Sequence, residues 1–169
     1  VLLGTEANVI RGNRIGTDPT GQLAVGNGTG VNDGHGGKTI EHNLISGNAG
    51  VGVTTTAAAA PTTVQENFLG VDVTGLEGLG NHSYGITIFT GSGHTIRNNV
   101  ISGNFAGIGI NAAPGAIIQG NFIGTDAPGL AAIPNGFGIG VFNGGDGTVI
   151  GGAAAGAGQP CAFPCNLIS

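Results

Sequence analysis

Apolar and polar residues alternate along this chain in short bursts separated by glycine-rich corners. One burst has the form apolar-x-x-Asn-x-apolar. It occurs at Ile10/Asn13/Ile15, Ile40/Asn43/Ile45, Val64/Asn67/Leu69, Ile96/Asn99/Ile101 and Ile118/Asn121/Ile123, and a last copy is Asn166/Ile168 preceded by Ile150. Apolar pieces of three to five residues, β-branched and bounded by Gly, predict strands. They are too short and too often broken by Gly to be helices. Successive Asn residues of the pattern lie 30, 24, 32, 22 and 45 residues apart. Three short strands in each such interval predict a chain that coils on itself, each coil laid on the last at ~4.8 Å. The expected fold is all-β: a parallel β-helix, or β-solenoid, of about six coils of three short strands, in one domain over residues 1–169. No coil can bury its own apolar side chains; stacking alone does that.

A longer repeat is laid over the shorter one. Asn13-Arg14-Ile15-Gly16-Thr17-Asp18, Asn67-Phe68-Leu69-Gly70-Val71-Asp72 and Asn121-Phe122-Ile123-Gly124-Thr125-Asp126 correspond, each 54 residues after the one before. Odd coils carry a long corner, Asp18 to Asn27, Asp72 to Asn81 and Asp126 to Asn135. Even coils turn tightly through Ser46-Gly47-Asn48 and Ser102-Gly103-Asn104. Each long corner starts with Asp and reaches Gly three residues later, which is turn chemistry. An Asx-turn outweighs calcium binding as the reading of those Asp residues. Asn13, Asn43, Asn67, Asn99, Asn121 and Asn166 are expected to stack as a ladder at one bend, since Asn tolerates the left-handed backbone and its amide can bond the coils above and below.

Composition narrows the possible partners. The net charge is −5, from nine acids and four Lys and Arg, so nucleic acid is not an expected partner. No apolar run reaches the ~18 residues of a membrane span. The chain starts at Val1 and contains no Met; it is expected to be a processed product or an excerpt of something longer. Cys161 and Cys165 bracket Ala-Phe-Pro, which suits a local disulfide and an oxidising, extracellular setting, with two free thiols as the alternative.

The alternating Asn-x-Ile-Gly-Thr-Asp and Asn-x-Ile-Ser-Gly-Asn motifs, which cover nearly all of the chain from Asn8 to Ser169, resemble the right-handed parallel β-helix repeat family of the pectate-lyase-like superfold. In particular they are similar to repeats of large secreted bacterial surface proteins. The resemblance implies the fold. It leaves open polysaccharide lyases and hydrolases, adhesins and sugar-binding scaffolds, because one fold hosts many activities.

Polysaccharide cleavage needs paired carboxylates, or a base beside a cation. Aligning the coils puts Arg11, Glu41, Gln65, Arg97 and Gln119 in one outward column, with His42 and Glu66 in the next. Glu41, His42, Glu66 and Arg97 are therefore the candidate catalytic group, against the plainer reading of a solvated face with weak ion pairs. Gly34-His35-Gly36 is similar to a polygalacturonase tripeptide, but the paired Asp and the Arg-x-Lys motifs of that family are missing, so it reads as a turn. No cofactor or metal site is expected.

Asn27-Gly28-Thr29 and Asn81-His82-Ser83 are N-glycosylation sequons at matching long corners. Thr54, Thr55, Thr56, Thr62 and Thr63, among Ala and Pro, resemble an O-glycosylated stretch. Leu44, Phe68, Val100, Phe122 and Leu167, with Arg14 in the first coil, are expected to form an outward apolar stripe able to act as an assembly surface. These features together predict an extracellular or cell-surface, non-enzymatic solenoid, self-associating head-to-tail through open ends or forming a segment of a large adhesin. Glycans are possible partners. The alternative is a carbohydrate-active enzyme or carbohydrate-binding domain.

Overall fold

Each strand of the computed structural model pairs in parallel with the strand one coil away. The structure describes residues 1–3, 7–56, 59–152 and 163–169. Strand β1 (Leu2–Leu3) precedes the first full coil. That coil comprises β2 (Val9–Arg11), β3 (Arg14–Ile15) and β4 (Val31–Asp33). The second comprises β5 (Thr39–Glu41), β6 (Leu44–Ile45) and β7 (Val53–Thr55). The third has β8 (Thr63–Gln65), β9 (Phe68–Leu69) and β10 (Tyr84–Ile88), and the fourth β11 (Thr95–Arg97), β12 (Val100–Ile101) and β13 (Ala106–Asn111). The fifth has β14 (Ile117–Gln119), β15 (Phe122–Ile123) and β16 (Ile139–Phe142). The last has β17 (Val149–Ile150) and β18 (Leu167–Ile168). Three six-stranded parallel sheets result: β1-β4-β7-β10-β13-β16, β2 through β17, and β3 through β18.

The core lies between the sheets. Ile10, Ile40, Val64, Ile96 and Ile118 form one inward column, and Ile15, Ile45, Leu69, Ile101 and Ile123 a second. The first sheet adds Val31, Val53, Ile86 and Ile108. All of these are buried. Removing each such side chain from water is worth ~1.5–3 kcal/mol, so stacking supplies what no single coil could.

At the bend between the second and third sheets, each ladder Asn is held by the next coil. Asn43 donates both its backbone N–H (2.9 Å) and its Nδ2 (3.0 Å) to Asn67 Oδ1, and the same pair of bonds recurs from Asn13 to Asn166. A second ladder, not anticipated from the sequence, runs parallel to it through Asn27, Asn48, Asn81, Asn104 and Asn135. The signal was available: Asn27, Asn81 and Asn135 recur every 54 residues, with the Asn of each Ser-Gly-Asn turn between them.

Long corners stack on one another across two coils. Val73 N donates to Gly21 O (3.0 Å), and Ala127 N donates to Gly75 O (2.9 Å). Each corner thus spans the height of the tight even coil beside it, which gives the 54-residue period its physical cause. The corners also fold over the third sheet. A Cβ at Gly21 would lie 2.9 Å from Leu44 Cδ2, and one at Gly75 would lie 2.9 Å from Phe68 Cε2. Consequently the expected assembly stripe is largely covered. Leu44 is 7% and Val100 5% exposed, and Phe68, Phe122 and Leu167 are half-buried. The alignment of columns ignores the long corners, which take these residues out of solvent.

Candidate functional site

The four residues of the candidate catalytic group separate into two arrangements. On the outer face of the second sheet, Arg11 Nε donates to Glu41 Oε1 (2.8 Å) and Arg11 Nη2 bonds the same oxygen. Gln65 Nε2 donates to Glu41 Oε2 (2.5 Å), and Arg97 Nε donates to Gln65 Oε1 (2.8 Å). Parallel in-register pairing brings these side chains over one another. Glu41 therefore meets Arg97 only through Gln65. The Gln65 amide and then the Arg11 guanidinium hold the Glu41 carboxyl below its usual range, against a smaller opposing effect of burial. A carboxylate so engaged on both oxygens is a poor proton acceptor.

His42 and Glu66 form the other arrangement, one coil apart at the bend. His42 Nε2 lies 2.7 Å from Glu66 Oε2, with both side chains partly exposed. Both backbones are left-handed, φ 54° and 55°, at a step where other coils have Gly12, Asn98 and Gly120. This conformation costs a non-glycine residue ~1–2 kcal/mol. The pair borders a surface hollow of about 320 Å³, whose apolar wall is Leu44, Phe68 and Val73. Arg14 also lines it, with its Nη1 committed to Pro19 O. Among the described residues no group of three or more His, Cys, Asp or Glu side chains is arranged to hold a metal ion.

The corner aspartates act as backbone caps. Asp72 Oδ1 accepts from the amides of Thr74, Leu76 and Glu77, and Asp126 Oδ1 from those of Leu130 and Ala131. At Asp18, the Thr20 hydroxyl and then the Leu23 amide hold the carboxyl well below its usual value. Burial alone would raise Asp72, but the Thr74 hydroxyl and these amides outweigh it and its carboxyl is lowered. His35 stands on a similar turn, its N–H and that of Gly36 donating to Asp33 Oδ1.

The sugar-acceptor candidates divide sharply. Asn27 is exposed. Asn81, expected at an open corner, is instead 1% exposed, and its Nδ2 donates to Asn104 Oδ1 (2.9 Å) and Ile45 O (3.0 Å). An amide with both hydrogens engaged inside the ladder cannot take a glycan without unfolding the corner. Thr55 and Thr62 are also buried, both donating to Asp33 Oδ2. Thr56 is exposed, and Thr54 and Thr63 are half-buried. Cys165 is disulfide-bonded; Cys161 lies outside the described residues.

Sequence reasoning did not anticipate a polar cluster inside the coil. Asp33 and Lys38 are both fully buried, with Lys38 Nζ 3.7 Å from Asp33 Oδ1 and donating to Gly36 O (2.6 Å). Burial would raise the Asp33 carboxyl. The Thr62 hydroxyl, the Gly36 and His35 amides and Lys38 together lower it instead. His94, in the same column as Lys38 and Thr62, accepts the Thr62 N–H on Nδ1 (3.0 Å), and its Nε2 lies 3.0 Å from Thr90 O. Parity was the available signal: Lys38, Thr62 and His94 each stand two residues before an inward Ile or Val.

A protein-family model described as a right-handed beta helix region matches residues 70–160. No curated protein and no solved structure matches the chain.

Proposed function

This chain belongs to the right-handed β-helix family, and on that premise we propose that it is a non-enzymatic structural solenoid of a secreted or cell-surface protein. One observation carries the reading. The outward polar face is spent on itself: Glu41 accepts from Arg11 on Oε1 and from Gln65 on Oε2, and Arg97 Nε donates to Gln65 Oε1. The engaged state of Glu41 and Arg97 supports a scaffold over a catalyst, and the disulfide at Cys165 supports an oxidising compartment.

The test is to incubate the chain with pectin and with alginate and to follow scission of each polymer. The expected result is no scission of either. Robust turnover of pectin or alginate would sink the proposal. The His42–Glu66 pair beside the Phe68 wall favours a second reading, carbohydrate binding. Calorimetric titration of an acidic oligosaccharide against the chain and its His42→Ala variant tests it: saturable binding lost in the variant supports it, and no heat from either excludes it.

A further inference from the structure

The sequence holds three Asn-Gly steps, Asn27-Gly28, Asn135-Gly136 and Asn143-Gly144. An Asn side chain followed by glycine is open to attack by the next backbone nitrogen, because glycine has no Cβ to shield that nitrogen. The fold holds the two reacting groups with different firmness at each step.

Asn135 is held at every point. Its Oδ1 accepts from Asn104 N (3.0 Å) and Asn104 Nδ2 (3.2 Å), and its Nδ2 donates to Ile101 O (2.7 Å). Gly136 N, the attacking atom, donates to Phe105 O (3.0 Å). Asn27 is held in part: its backbone N–H and its Nδ2 both donate to Asn48 Oδ1, at 3.2 and 3.1 Å. Asn143 is held least. Its side chain is exposed and makes no hydrogen bond among the described residues, nor does the Gly144 N–H. A Cβ at Gly144 would meet only Ala112 Cα, 3.9 Å away, so nothing crowds the nitrogen.

The exposure belongs to the position rather than to the coil. Ala112 occupies the same left-handed bend one coil earlier (φ 52°, against 31° at Asn143) and is exposed although β16 stacks over its strand. The two bends are tied by Ala112 N, which donates to Asn143 O (2.7 Å). Gly144, Gly145 and Gly147 follow Asn143, and glycine lets the peptide plane turn toward the side chain.

We propose that Asn143 is a site of spontaneous self-modification, with its side-chain amide as the substrate and water as the co-reactant. Gly144 N gives its proton to solvent base and attacks Asn143 Cγ. The new N–Cγ bond closes a cyclic succinimide as the Cγ–Nδ2 bond breaks, and ammonia leaves with a proton from solvent. Water then opens the ring, and the ring nitrogen takes back a proton. Attack at Cγ breaks the new bond and yields aspartate. Attack at the main-chain carbonyl carbon breaks the original peptide bond to Gly144 and yields isoaspartate, whose chain continues through the former side chain. Either product makes the net charge of −5 more negative. Isoaspartate also lengthens the path from β16 to β17 by a methylene.

Peptide mapping by mass spectrometry tests the site. The folded chain is incubated at mildly alkaline pH in heavy-oxygen water, beside the same chain unfolded in guanidinium chloride. In the folded chain the label should enter at Asn143 first. Asn27, with two bonds to open, should lag by about tenfold, and Asn135, with four, by at least about a hundredfold, at the ordinary net worth of each bond. The unfolded chain should convert all three at similar rates. Methyl transfer to the aged folded chain by an isoaspartate O-methyltransferase should be largely lost in Asn143→Gln. Equal rates at the three steps of the folded chain, label entering first at Asn27 or Asn135, or an Asn143 left unlabelled would overturn the proposal.

Discussion

Asn67 donates its backbone N–H to Asn99 Oδ1 at 2.9 Å and its side-chain Nδ2 to the same oxygen at 3.0 Å. Its own Oδ1 receives the equivalent pair from Asn43, and its second amide hydrogen is shared between Ile40 O and Gln65 O. Every polar atom of a fully buried side chain is thus used, and its loss orphans groups on both neighbouring coils. Asn67→Leu should cost ~2–4 kcal/mol, because each buried group left unpaired carries a penalty of its own. Asn13→Ala, at the exposed start of the ladder, should cost less than ~1 kcal/mol. Urea unfolding of the two variants checks the contrast, and equal losses would remove the ladder from its proposed role.

Stability should fall in acid in two stages. Burial lowers the His94 pKa below its ordinary 6.5, more than the Thr90 carbonyl and the Asp33 charge raise it. The unfolded chain then binds the proton more readily than the folded one, so stability is full above pH 6.5 and declines below it toward the folded value. Asp33 is lowered from 3.8; its contribution is present above that value and is lost as pH falls through the folded one. Denaturation midpoints measured across this range should show both declines. His94→Gln should flatten the first and spare the second.

Close approach between unlike coils predicts a steric test. A Cβ at Gly80 would stand 2.0 Å from Gly103 O, a backbone atom that cannot swing away. Gly80→Ala should therefore destabilise by ~1–3 kcal/mol, as overpacking does. Gly28, with open space around its position, should tolerate the same change within ~0.5 kcal/mol. Thermal melts of the two variants suffice to compare them.

Sugar attachment should follow exposure rather than the sequon. Produced in a glycosylating cell, the chain should carry a glycan at Asn27 and none at Asn81, because Asn81 is buried with its amide bonded to two other coils, whereas Asn27, the first rung of the same ladder, is exposed and its Nδ2 donates to Asn48 Oδ1. Intact mass should drop on Asn27→Gln and stay unchanged, apart from the substitution itself, on Asn81→Gln. An occupied Asn81 would mean that glycosylation precedes folding of that corner.

The recurring Asn and the inward aliphatics on either side of it determined by themselves the strands, the coils and the first ladder. Each follows from a local rule, strand parity or the bend that Asn tolerates, repeated at every coil. Parity also carried the outward placement of Glu41 and Arg97, and the alignment of coils put His42 beside Glu66. Tertiary structure decided the rest, because it depends on distances between coils that spacing along the chain does not contain. Only the fold of the long corners over the third sheet covers Leu44 and Val100. Only stacking turns Asn81 from a corner residue into a ladder rung. The inward-facing Lys38 and Asp33 find partners in the interior because Thr62, two backbone amides and each other are held around them by three successive coils.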